Sequence, residues 1–91
     1  MDPAEFWSVY GVACLKSGAG DDAKIAYRRL AEYPDRGYEA VMNLGVVFFA
    51  EKAYDKAEVC FHKALEFRPG DANARKNLEQ ISRNSQKKGK E

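Results

Sequence analysis

Apolar positions recur at helical spacing in four consecutive stretches. Trp7, Tyr10, Cys14 and Leu15 fall on one face of a first helix, and Val41, Leu44, Phe48 and Phe49 on one face of a third. Ala23, Ala26, Tyr27 and Leu30 form the stripe of a second helix, and Ala57, Cys60, Phe61 and Ala64 that of a fourth. Breakers separate them: Gly18-Ala19-Gly20, then Pro34-Asp35-Arg36-Gly37, then Arg68-Pro69-Gly70-Asp71. The pattern predicts five helices, over residues 3–17, 21–33, 37–51, 54–67 and 72–84. Asp2, with Pro3 next and Glu5 three residues on, has the arrangement of a capping box, and Asp71 is placed to cap the last helix.

The chain also repeats. Offset by 34 residues, Glu5 falls on Glu39, Gly11 on Gly45, Val12 on Val46, Ala19 on Ala53, Asp21 on Asp55, Ala23 on Ala57 and Glu32 on Glu66. Ile25 with Val59, Tyr27 with Phe61, Arg29 with Lys63 and Tyr33 with Phe67 are conservative pairs at the same offset. This gives repeats at 4–37 and 38–71 and a remainder that starts like a third copy, since Ala74, Asn77 and Leu78 fall on Ala40, Asn43 and Leu44. Leu78 and Ile81 can face the second repeat while Arg75, Lys76, Glu79 and Arg83 meet water, so residues 72–84 read as a cap helix. The domain is expected to span 1–84, with a basic, disordered tail over 85–91.

These residues resemble the tetratricopeptide repeat. Residues 38–71 supply Val41, Leu44-Gly45, Phe48, Ala57, Phe61, Ala64 and Pro69 at that family's signature positions. The first copy is looser: Trp7, Gly11, Ala23 and Tyr27 fit, while Tyr10, Cys14 and Leu30 depart from the pattern and Pro34 comes one position early. The resemblance implies an all-α, right-handed superhelix of helix hairpins closed by the cap helix. Glycine and alanine would stand where two helices cross closely, where an added methylene typically costs about 1–3 kcal/mol.

Composition narrows the function. Ninety-one residues make one domain, and 45% hydrophobic residues are too many for a disordered chain. The longest apolar run, Val46–Ala50, is far short of a membrane span, and residues 1–5 carry no signal-peptide pattern, so the expected compartment is the cytoplasm. Fifteen basic against fourteen acidic residues give +1, which argues against a strongly basic nucleic-acid domain. Arg83, Lys87, Lys88 and Lys90 against Glu91 concentrate positive charge in the tail and leave the body mildly acidic.

Catalytic constellations are missing from the sequence. His62 is the single histidine, and Cys60, two residues away, would not face it on a helix. Cys14 and Cys60 sit inside apolar stripes and read as reduced core residues. No phosphate-binding glycine loop occurs, and Asp21-Asp22 is explained by a helix start. Neither an enzyme nor a bound cofactor or metal is expected.

What the resemblance implies is a protein-binding groove lined by the first helix of each hairpin. Its lining would be Glu5, Ser8, Val9, Val12, Leu15 and Lys16, then Glu39, Met42, Asn43, Val46, Phe49 and Ala50, with Asn73, Lys76, Asn77, Gln80 and Arg83 from the cap. Val9, Val12, Leu15, Met42, Val46 and Phe49 would be exposed apolar anchors for a partner peptide or helix. Lys76 and Arg83 would draw an acidic group or free C-terminus to the cap end. In the best-known version of this groove two carboxylates of a chaperone tail are clamped by Lys, Asn and Arg side chains. Here Asn43 matches, whereas Ser8, Val12, Asn73 and Asn77 fill the other clamp positions. The alternative is a self-assembly element whose groove is covered by a second copy or by flanking repeats.

Overall fold

The computed structural model describes residues 1–89 in backbone and residues 1–85 in side chains. Its elements are α1 (Pro3–Lys16), α2 (Gly20–Leu30), a 3-10 turn (Pro34–Arg36), α3 (Gly37–Ala50), α4 (Tyr54–Phe67) and α5 (Ala72–Gly89). α1 packs on α2 and α3 on α4 as hairpins, α2 packs on α3 to join them, and α5 lies against α4. The all-α architecture of helix hairpins expected from the sequence is therefore present among the described residues.

Each hairpin closes on a glycine. A Cβ built on Gly45 of α3 would lie 2.7 Å from Cε1 of Phe61 in α4, and one on Gly11 of α1 would lie 2.7 Å from Cε1 of Tyr27 in α2. The two rings therefore pack onto bare backbone. Both are essentially inaccessible, as are Ala23, Ala26, Leu30, Ala57 and Ala64 around them. Gly37 at the start of α3 serves the ring of Phe67 in the same way.

The turns inside the hairpins are copies too. Ala19 N–H donates to Cys14 O at 2.8 Å, and Ala53 N–H to Phe48 O at 2.9 Å, so both first helices end in the same left-handed closure. The residues that carry it are Gly18 (φ 81°) and Lys52 (φ 62°), which are 34 apart. Lysine holds there a conformation that glycine adopts at little steric cost.

Several boundaries differ from the sequence reading. α2 ends at Leu30 instead of continuing to 33, because Pro34 holds Tyr33 in an extended conformation (φ −93°, ψ 124°) that an α-helix cannot contain. Asp2 makes no side-chain cap, so the capping box does not form; Glu5 bonds to Arg36 instead. Asp71 does cap α5, accepting from Ala74 N–H at 2.9 Å. α5 stays helical through Gly89, where a disordered tail was expected from residue 85; Gln86, Lys87 and Lys88 are good helix formers. Residues 90 and 91 of that tail lie outside the described residues. Tyr10, assigned to the buried stripe of the first helix, is exposed, while Ala4 and Val47 are buried and were not in any stripe. Cys14 and Cys60 are free and buried, and burial pushes the Cys60 thiol up, keeping it protonated.

Replacing Gly45 with leucine forces a side chain into the space of the Phe61 ring. Gly45→Leu is expected to cost about 2 kcal/mol or more, roughly a 10 °C drop in Tm for a chain of this size, whereas Val59→Ala on the exposed face of α4 leaves the melting curve nearly unchanged. Lys52→Gly relieves the left-handed strain and is expected to raise stability by about 0.5 to 1 kcal/mol. Thermal melts read both.

Candidate functional site

The first helix of each hairpin starts at the same edge. Arg36, just ahead of α3, donates to Glu5 of α1 at 2.9 Å and to Glu39 of α3 at 2.8 Å. Ser8 Oγ donates to the other oxygen of Glu39. These bonds tie the first turns of α1 and α3 together, and the two carboxylates hold the Arg36 guanidinium charged, raising its pKa. The second edge contact is at the start of α5, where Tyr38 OH donates to Asp71 at 2.8 Å and the Arg68 guanidinium lies 3.8 Å from the Tyr38 ring centroid. Burial and the bond to Asp71 push the Tyr38 phenol up. α1, α3 and α5 thus line one face, in parallel.

Along this face the apolar expectations divide. Val9, Val12 and Val46 stay substantially exposed, at 49%, 37% and 38%. Leu15, Met42 and Phe49 are only partly accessible: Leu15 packs against the first hairpin's core, and Met42 and Phe49 against the second's. Val46, Phe49, Asn77 and Gln80 come together around a hollow of about 220 Å³ between α3 and α5, floored by Phe61. Leu15 borders a second hollow of about 220 Å³ with Gly20, Val47 and Ala50. Asn43 is half-buried between them in sequence, and Lys16 is exposed near the end of α1.

The charged residues behave differently from the sequence picture. Arg83 forms an ion pair with Glu79 of its own helix at 3.0 Å, so its charge is partly neutralised, whereas Lys76 is exposed. Ser8, which stands where the family's clamp would have a cation, serves Glu39. Two features escaped the sequence reading. The first is the Glu5–Arg36–Glu39 network, visible beforehand only as an acid and a base three residues apart. The second is Phe61 beneath the hollow, since a core aromatic carries no signal that it underlies a surface depression. His62 is exposed on α4, away from this face's lining residues. Among the described residues there is no cluster of three metal-ligating side chains, and no helix is long and apolar enough to cross a membrane.

Comparison with known proteins agrees with the architecture. The tetratricopeptide repeat family matches at residues 38–71. Superkiller complex protein 3 of Mus musculus is 47% identical over 57 residues, 62% of this chain. The chain spans 4% of the length of that relative.

Proposed function

Given that this chain carries a tetratricopeptide repeat domain, we propose that the α1–α3–α5 face is a groove for a segment of a partner protein. Repeats of this family generally mediate protein–protein interaction. The single observation that supports the reading most is the hollow between α3 and α5: Val46, Phe49 and the Phe61 ring make its walls and floor apolar, and Asn77 and Gln80 stand at its side. An apolar side chain of the partner fills the hollow. The two carboxamides, each both donor and acceptor, hydrogen-bond the main chain that carries it. Val9 and Val12 extend the apolar contact across α1.

Charge orients the segment. Glu5 and Glu39 make the edge at the helix starts acidic despite Arg36, while Lys76 on α5 offers an uncompensated cation at the cap end. An acidic group of the partner settles near Lys76. A clamp for a two-carboxylate chaperone tail is not favoured, because Ser8 and Val12 bring no cation or amide to the first repeat and Ser8 is already bonded to a carboxylate. The mouse relative is named as a protein of a complex, which agrees with a role in assembly.

For a short peptide on two repeats the affinity is expected to be micromolar, about −8 kcal/mol. The check is a peptide-array screen followed by titration of the selected peptide. Val46→Glu is expected to weaken it at least tenfold (on the order of 1.4 kcal/mol), and Val59→Glu, on the exposed side of α4, to leave it unchanged, with both variants melting like the parent. Retention of every selected peptide by folded Val46→Glu and Phe49→Glu would contradict the groove. Loss of a wild-type dimer in those two variants would instead support the self-assembly alternative.

A further inference from the structure

The two hairpins are near copies, and the 34-residue register picks out one place where they differ. In the second hairpin the Tyr54 ring, at the start of α4, stands edge-on to Phe49 of α3 with centroids 5.5 Å apart. It packs on a cluster that includes Phe48, Ala57 and Ile81. The residues 34 positions earlier are Leu15 for Phe49, Cys14 for Phe48, Ala23 for Ala57 and Val47 for Ile81, and they form the matching cluster of the first hairpin. These walls of the Tyr54 site are thus repeated. The ring is not, because Gly20, at the start of α2, takes the position of Tyr54.

What stands in place of the ring is the hollow of about 220 Å³ bordered by Leu15, Gly18, Gly20, Val47, Ala50 and Glu51. It is larger than the roughly 150 Å³ cavity that suffices to hold a benzene ring. Leu15, Val47 and Ala50 make its lining apolar, and Glu51 is its one charged wall. Glu51 Oε1 accepts from Lys24 Nζ at 2.9 Å. Oε2 would lie 2.7 Å from a Cβ built on Gly20, so the second oxygen faces the vacant ring position, and no hydrogen bond reaches it among the described residues. A phenol suits this arrangement. Its ring meets Leu15 and Val47 while its hydroxyl donates to the carboxylate, a charge-assisted bond. An acidic side chain is repelled by Glu51, and a purely apolar one leaves the carboxylate unused.

We propose that this hollow is a socket for a tyrosine side chain of a partner protein, taken in place of the ring that Tyr54 supplies to the second hairpin. The socket lies between α1 and α3, on the side of α1 that faces the second hairpin, so a hairpin ahead of α1 would leave it open. It shares no lining residue with the α3–α5 hollow and does not depend on the groove reading. One side chain in an open hollow is a weak contact, with a dissociation constant on the order of 1 mM when presented alone. Its effect is largest when a second contact tethers the same partner.

The probe is a terminally blocked glycyl-tyrosyl-glycine peptide, titrated into the 91-residue chain and followed by backbone amide NMR shifts. The expected result is shifts at Gly18, Gly20 and Glu51 that saturate in the low millimolar range, with Asn77 and Gln80 unmoved and a several-fold weaker response to the phenylalanine counterpart. Gly20→Tyr supplies the ring from within. It is expected to abolish the shifts at Gly18 and Glu51 and to melt a few degrees above the wild type, because it fills the hollow and removes a helix glycine. Glu51→Ala keeps the apolar lining and is expected to bring the tyrosine peptide down to the level of the phenylalanine one. No shift at Gly18, Gly20 and Glu51 up to about 20 mM peptide overturns the proposal. So does an equal response to the two peptides, or a response that persists in Gly20→Tyr. A Gly20→Tyr variant that melts below the wild type overturns it as well, since the hollow then has no room for the ring.

Discussion

The contact on which this fold depends is a ring on a glycine. Phe61 lies on Gly45 and Tyr27 on Gly11, so close that a single methyl at either glycine would sit inside van der Waals distance of the ring. That contact brings the two helices of a hairpin together, and the alanines at 23, 26, 57 and 64 pack closely around it. Because the same pair recurs 34 residues later, the second hairpin repeats the first, and α1, α3 and α5 arrive on one face. The shared face is thus a consequence of packing inside the hairpins. Phe61 links the two directly, since the ring that closes the hairpin also floors the hollow between α3 and α5.

An array of this kind buries each hairpin only against its neighbours. α5 contributes Ala74, Leu78 and Ile81 to the second hairpin, is capped by Asp71 and turns charge outward. α1 has the apolar character of an internal helix, with aromatics where α3 has Ala40 and Leu44. The polar network at the helix starts serves a different purpose. Glu5, Arg36, Glu39 and Ser8 fix the lateral position of α1 against α3 and, in doing so, place carboxylates along one edge of the shared face.

Much of the architecture was legible before the structure. The period, the number of helices and the buried stripes of α2 and α4 follow from spacing alone, because those helices are enclosed by neighbours on one face and by water on the other. The first helices of the hairpins were read less well. Each touches a partner helix, a neighbouring hairpin and the groove, so three faces share the apolar residues and no single stripe describes them; Tyr10 was placed inward and Val47 was not seen as core. The Glu5 half of the capping box fails because Glu5 is taken by Arg36, 31 residues away, which local sequence does not reveal. Of the groove residues, those around the hollow are brought together, whereas Met42 and Leu15 turn largely to packing. Burial at such positions depends on helix rotation by a few tens of degrees, which an apolar pattern spread around the helix leaves open.

The most direct test of the ring-on-glycine contact is a double-mutant cycle on Gly45→Ala and Phe61→Leu, followed by chemical denaturation. If the close approach organises the fold, the alanine methyl clashes with the ring in the parent but is tolerated once the ring is gone. The coupling between the two positions is then about 1–2 kcal/mol, with Gly45→Ala much less destabilising in the Phe61→Leu background. Strictly additive effects, or a Gly45→Ala variant as stable as the parent, would contradict the contact and the placement of α3 and α5 derived from it.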